Sequence, residues 1–176
     1  SREEIVGQRP VLLRSGRHNR EFYDAMWHSL REQGMWQGEL WNRRKNGEIY
    51  PEWLTISAVS DDAQQTTHFV GVFTDISKRK QDEAYLTFLA NHDPLTGLYN
   101  RARMGDLLNN ALPKARDFQQ LLGLVMIDID RFRTVNDSLG HGQGDHLLQA
   151  IAQRLSAQLR PGDHLGRLGG DEFLIL

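Results

Sequence analysis

The 176-residue sequence contains no cysteine. Disulfide frameworks and thiolate metal sites are thereby excluded, and a reducing compartment is compatible with this. Long hydrophobic runs are missing too. The longest, Leu121 to Ile127, is far too short to cross a bilayer. No secretory signal is visible, so a cytoplasmic setting is expected, and membrane attachment would have to come from segments outside this chain. Neither sign of charge dominates. A formal net charge of −2 argues against nucleic-acid binding through a broad basic field, although a nucleotide site needs only local positive charge. The chain opens on Ser1 rather than methionine and stops inside the apolar run Phe173 to Leu176, which reads as a piece of a longer protein.

Tryptophan is absent beyond Trp53. All four tryptophans lie between Trp27 and Trp53, and the later sequence relies on leucine, isoleucine and valine instead. That shift predicts two cores and hence two domains. No internal repeat or low-complexity tract is present.

Residues Arg20 to Gln33 have helical spacing of Phe22, Tyr23, Met26, Trp27 and Leu30, with Gly34 as a stop. Three strands are predicted next: Met35 to Arg44, Ile49 to Val59 and Thr66 to Thr74. Asn46-Gly47 supplies a tight hairpin between the first two, and Ser60 to Gln65 a polar turn before the third. Asp75 to Asn91 reads as a helix with Asp75 or Ser77 as its N-cap, either a solvated linker or a short two-chain coiled coil. Pro94 breaks it. Further on, a helix is predicted over Arg101 to Leu112, ended by Pro113. A strand buried on both faces follows over Leu121 to Ile129, and a helix over Asp145 to Arg160. Two strands, His164 to Leu168 and Phe173 to Leu176, are joined across Gly169 and Gly170. The class is α+β.

Acidic residues cluster where apolar segments end. Strand alternation through Val125 to Asp130 would put Asp128 and Asp130 on one side, a way to offer oxygen ligands to a hard cation such as Mg2+. The same carboxylates would also serve to cap the next turn. Gly169-Gly170-Asp171-Glu172 reads either as an ordinary glycine turn with solvated acids or as a turn that lets a phosphate approach the backbone. Asn136 and Asp145 offer an amide and a carboxylate that suit the donor and acceptor edge of guanine, and both are also common turn residues.

Four segments carry a family resemblance: Asp93-Pro94-Leu95-Thr96-Gly97-Leu98-Tyr99-Asn100-Arg101, Asp128-Ile129-Asp130-Arg131-Phe132-Arg133 through Asn136-Asp137, Gly140-His141-Gly142-Gln143-Gly144-Asp145, and Gly169-Gly170-Asp171-Glu172-Phe173. In this order and spacing they resemble the motifs of the GGDEF domain family, the diguanylate cyclases that condense two GTP into cyclic di-GMP. The resemblance implies a palm-like sheet related to nucleotidyl cyclases and a cofactor of Mg2+ or Mn2+. It implies Asp128, the Ile129 carbonyl and Asp171 as metal ligands and Glu172 as the essential acid next to the reacting hydroxyl, either as a base or as a second metal ligand. Asn136 and Asp145 would read guanine, with Gly169 and Gly170 against the phosphates. Arg133 stands where the family has lysine, near the phosphates. Arg160 and Asp163 fall where many members carry an Arg-x-x-Asp product-inhibition site; the alternative is a basic helix end before a Pro-Gly turn. A symmetric homodimer is implied, since each domain holds one GTP.

Trp36-Gln37-Gly38-Glu39, Asn42 to Glu48 and Gly71-Val72-Phe73-Thr74-Asp75-Ile76 are similar to the later part of a PAS domain with its C-terminal motif. That implies sensing and dimerisation without naming the ligand; His18 and His28 read as surface histidines. The expected organisation is a C-terminal PAS part over 1–76, a helical linker over 77–91 and the N-terminal part of a GGDEF domain over 92–176. Two functions compete. One is a cyclase under PAS control. The other is a silent GTP- or cyclic di-GMP-binding module that controls a neighbouring domain such as a phosphodiesterase. A dimerising sensor piece without activity is a third.

Overall fold

The structure, a computed structural model, describes residues 2–63 and 65–176. The chain divides into two compact units, Ser1–Asp82 and Glu83–Leu176.

The first unit opens with a short helix α1 (Arg2–Ile5) and a 3-10 turn, Pro10–Leu13. Helix α2 (Arg20–Gln33) follows. Asn19 caps it, its side-chain oxygen accepting the Phe22 N–H at 3.0 Å. Gly34 closes it in the left-handed conformation, φ 70°, as expected of a helix stop. Tyr23, Met26 and Leu30, spaced along one face, are buried and pack with Phe22, Trp36 and Ile56. These residues form the core between α2 and an antiparallel sheet of order β1 (Met35–Arg43), β2 (Ile49–Ser60), β3 (Thr66–Asp75). The hairpin at Asn46-Gly47 closes with Arg44 N–H on the Glu48 carbonyl at 2.8 Å. In the turn before β3, the Asp61 carboxylate accepts the N–H groups of Ala63 and Gln65; Gln64, part of the turn predicted from sequence, lies outside the described residues. A polar cluster is buried on the sheet: Glu52, 3% exposed, accepts from Asn42 and from the Tyr50 hydroxyl, both at 2.8 Å. Burial, then the bond to Glu52, pushes the Tyr50 phenol up to about 12. His18 is a structural acceptor, its Nε2 taking the Trp41 N–H at 2.9 Å.

Helix α3 (Ser77–Asn91) runs across the division between the units. It begins two residues later than predicted because Asp75 stays outside it as a cap, accepting the Ser77 N–H at 2.9 Å.

The second unit continues with α4 (Arg101–Asp117), β4 (Val125–Ile127), α5 (Phe132–Leu139), α6 (His141–Ser156), β5 (Leu165–Gly169) and β6 (Glu172–Ile175). The sheet is antiparallel in the order β4-β6-β5. Phe132, Leu148, Ala152, Leu165 and Phe173 form its core, with Phe173 fully buried. Three of the six residues of the first core are aromatic, whereas leucine and isoleucine make up most of the second, in line with the change seen in composition.

Three expectations for this unit need correction. Pro113 does not end α4; the helix continues to Asp117. Pro113 cannot donate to the Asn109 carbonyl, but both residues face solvent, where water replaces the lost bond. The strand predicted over Leu121 to Ile129 is reduced to Val125–Ile127 and is not buried: Leu124, Val125 and Met126 are exposed. Among the described residues only β6 pairs with it, from Val125↔Ile175 to Ile127↔Phe173, so its length is set by a four-residue partner. Finally, α6 spans His141–Ser156 rather than Asp145 to Arg160. Gly142 and Gly144 are poor helix formers, yet Gly144 is buried against α5, and tertiary packing overrides propensity.

Candidate active site

The register Ile127↔Phe173 brings the end of β4 to the start of the β5–β6 hairpin. Asp128 follows β4 directly, and Asp171 and Glu172 sit at the hairpin, so three acids occupy one edge of the sheet. Asp130 is not part of this group by strand alternation. β4 ends at Ile127 and the chain turns at Arg131, which is left-handed at φ 57°. Ile129 is half-buried against the core, and its carbonyl accepts the Phe132 N–H at 3.2 Å with its second lone pair still available.

The hairpin turn needs its glycines: Gly169 has φ 142° and Gly170 φ 53°, the region L side chains rarely adopt. Two arginines hold this turn. Arg167, in β5, donates to the Gly170 carbonyl through Nε (2.9 Å) and through a second guanidinium nitrogen (2.6 Å). Its remaining nitrogen lies 3.1 Å from both oxygens of Asp93. Asp93 in turn accepts from the Thr96 N–H and hydroxyl at 2.9 and 2.6 Å. Burial pushes the Asp93 carboxyl upward, but the Thr96 and Arg167 bonds outweigh it and hold the group below its ordinary value. Arg101, at the start of α4, donates from Nε to the Leu168 carbonyl at 3.1 Å and reaches Glu172 at 3.3 Å. The 93–101 segment also lies along β5, with Arg167 N–H on the Tyr99 carbonyl at 2.8 Å.

Sequence reasoning quoted this segment as a motif but gave it no task. Arg167 was missed altogether. Its one signal was a cation inside the otherwise apolar strand Leu165 to Leu168.

Asn136 and Asp145 come from adjoining helices, α5 and α6. Asn136 is half-buried and its Oδ1 is buried with no hydrogen-bond partner among the described residues. Asp145 is exposed, one residue beyond buried Gly144. Arg133 is exposed on α5, 3.8 Å from Asp137. Arg160 and Asp163 form a separate turn before β5, in which the Arg160 N–H bonds the Asp163 carboxylate at 2.9 Å.

Among the described residues, no group of three or more His, Asp or Glu is gathered closely enough to hold a metal ion unaided. What the edge offers is an all-oxygen set, Asp128, Asp171 and the Ile129 carbonyl, and neither carboxylate has a protein partner among the described residues. That set fits Mg2+, which commonly takes one or two carboxylates and completes its shell with water and substrate phosphate. No helix among the described residues is long and apolar enough to cross a membrane.

Both halves of the chain match known families. Residues 90–176 match the family model described as diguanylate cyclase, GGDEF domain, and residues 1–78 match a PAS domain model. Diguanylate cyclase TpbB of Pseudomonas aeruginosa is 48% identical over 99 residues, covering 56% of this chain and 23% of that protein. Cyclic di-GMP phosphodiesterase PdeR of Escherichia coli is 33% identical over 181 residues, covering 98% of this chain and 26% of that protein. The chain thus spans about a quarter of the length of these curated relatives. The crystal structure of the coiled coil and GGDEF domain of DgcB from Caulobacter crescentus in complex with c-di-GMP superposes with a TM-score of 0.52 at 28% identity, covering 57% of this chain and 52% of that one. The chain is a PAS-domain segment over residues 1–78 followed by a member of the GGDEF domain family over residues 90–176.

Proposed function

We propose that this chain carries the catalytic edge of a diguanylate cyclase, joining two GTP into cyclic di-GMP with release of pyrophosphate, under control of the PAS segment. The observation that carries the reading is the placement of Asp128, Asp171 and Glu172 at one edge of the β4-β6-β5 sheet, beside a glycine turn fixed by Arg101 and Arg167. In each half-reaction the 3′-oxygen of one GTP forms a bond to the α-phosphorus of the other, and the bond from that phosphorus to pyrophosphate breaks. Glu172, oriented by Arg101, takes up the 3′-hydroxyl proton. Gly169 and Gly170 let the phosphates approach the main chain, and Arg133 supplies positive charge to them. Asn136 and Asp145 read the guanine. Mg2+ held by Asp128, Asp171 and the Ile129 carbonyl would neutralise charge developing on the phosphates. Because one site holds one GTP, two copies must face each other, which calls for a symmetric homodimer. Arg160, exposed in its turn, is placed to bind product phosphate at a second, inhibitory site with Asp163.

The test is product formation by the full-length protein from GTP and Mg2+, with Glu172→Gln as the comparison. The expected loss is about hundredfold or more. Undiminished cyclic di-GMP synthesis by the variant would remove Glu172 from the chemistry.

A second reading draws on the relative that matches 98% of this chain and is named a cyclic di-GMP phosphodiesterase. In that reading the same edge binds GTP or cyclic di-GMP and controls a neighbouring domain. Folded, dimeric protein that binds GTP and makes no product would favour it.

A further inference from the structure

Gly144 lies in α6 with helical backbone geometry that any residue adopts, so its conformation does not call for glycine. Its surroundings do. A Cβ at this position would sit 1.9 Å from Asn136 Oδ1, 3.0 Å from Asn136 Cγ and 3.2 Å from Phe132 Cζ. The first distance is impossible for real atoms. Phe132 belongs to the core, so the group that gives way is the end of the Asn136 side chain. Moving it costs little stability, and alanine is the better helix former. What changes is where the Asn136 carboxamide points.

That carboxamide has a second peculiarity. Its Oδ1 is buried and has no partner among the described residues, an arrangement proteins tolerate rarely and commonly at functional sites. Gly144 is followed directly by Asp145. The Asn136 carboxamide, its oxygen turned in against Gly144, and the exposed Asp145 carboxylate therefore come from neighbouring positions of adjoining helices. Guanine presents N1–H and the N2 amino group side by side as donors. Adenine has an acceptor at N1 and no amino group at C2, so it would leave the Asp145 carboxylate unpaired, which is how a polar pocket rejects the wrong base.

We propose that Gly144 is the specificity-setting position of the nucleotide pocket: its missing side chain seats the Asn136 carboxamide beside Asp145 for guanine. The inference rests on the guanine-reading role given to Asn136 and Asp145 above. Gly144 is a positioning residue, acting through Asn136.

The experiment titrates non-hydrolysable α,β-methylene analogues of GTP and ATP into the full-length protein, wild type, G144A, N136A and N136A/G144A, with thermal melts of each. Wild type is expected to prefer the guanine analogue. G144A should lose about tenfold or more of that affinity, with adenine affinity unchanged and no lower melting temperature. In the N136A background the clash with the carboxamide is gone and only the 3.2 Å approach of Phe132 Cζ remains, so adding G144A should change guanine affinity less than about twofold. Wild-type affinity in G144A, an equal loss for both bases, or a further loss on N136A would each overturn the inference while leaving the guanine reading intact. Wild type that shows no preference sinks the guanine reading and this inference with it. If G144A alone melts early, the double variant decides: it should melt like N136A, and a melting point as low as that of G144A overturns the proposal.

Discussion

Arg167 illustrates how much of this site is held by residues without chemistry of their own. Its side chain is 11% exposed and that of its partner Asp93 17% exposed, so the pair is shielded from solvent. Each half is satisfied: Asp93 by Thr96 and Arg167, Arg167 by Asp93 and the Gly170 carbonyl. Removing one member strands the other. Arg167→Ala is expected to cost about 3 kcal/mol, read by denaturant unfolding of the second unit. Arg167→Lys should recover only part, because lysine cannot bridge a carboxylate and a carbonyl as the guanidinium fork does. A loss below about 0.5 kcal/mol for Arg167→Ala would mean that the pair behaves as a surface contact. The acids proposed for the site were candidates in the sequence because they stand at the ends of apolar segments. The arginines were not, since Arg101 reaches the Leu168 carbonyl 67 residues away and Arg167 the Asp93 carboxylate 74 residues away along the chain.

Elements were legible where local signals agreed. Helix α2 carries its cap, its periodicity and its glycine stop within its own sequence, and the three strands of the first sheet are separated by Asn-Gly and an aspartate turn. β4 was misjudged because an apolar run says nothing about how many neighbours a strand will find. α6 was misjudged because the reason for its glycines lies in another helix. The start of α3 belongs to both categories. Asp75 was one of two candidate caps in the sequence, but its ion pair with Arg44 depends on the register of β1, β2 and β3. The Ser77 hydroxyl, Arg44 and the Ser77 N–H, in that order, hold the Asp75 carboxyl at about 2, below its ordinary 3.8. A depressed carboxylate contributes stability that is complete above its unfolded value and is lost as pH falls through the folded one. Wild type is therefore expected to lose stability between about pH 4 and pH 2, while Asp75→Asn lacks this contribution at neutral pH and shows a correspondingly shallower decline. Parallel acid-unfolding profiles for the two proteins would show that Asp75 is not a source of that stability.

At the scale of the whole molecule, the two units have separate cores and share one continuous element, α3, which crosses between them at Asp82 and Glu83. Its residues are none of them buried, and Tyr85 and Leu86 are 58% and 65% exposed. Such a helix gains little from packing within its own chain, so its continuity, more than its contacts, is what can carry a change from one unit to the other. Inserting four residues after Gln81 would lengthen it by about 6 Å and turn everything beyond it by about 40°. If the PAS segment controls output through this helix, the insertion in the full-length protein should alter cyclic di-GMP formation and its response to signal. GTP affinity, which the proposed site draws from residues of the second unit, should remain as it was. Unchanged output together with an unchanged response would eliminate α3 as the transmitting element, whereas lost GTP binding would mean that the insertion had damaged the second unit itself.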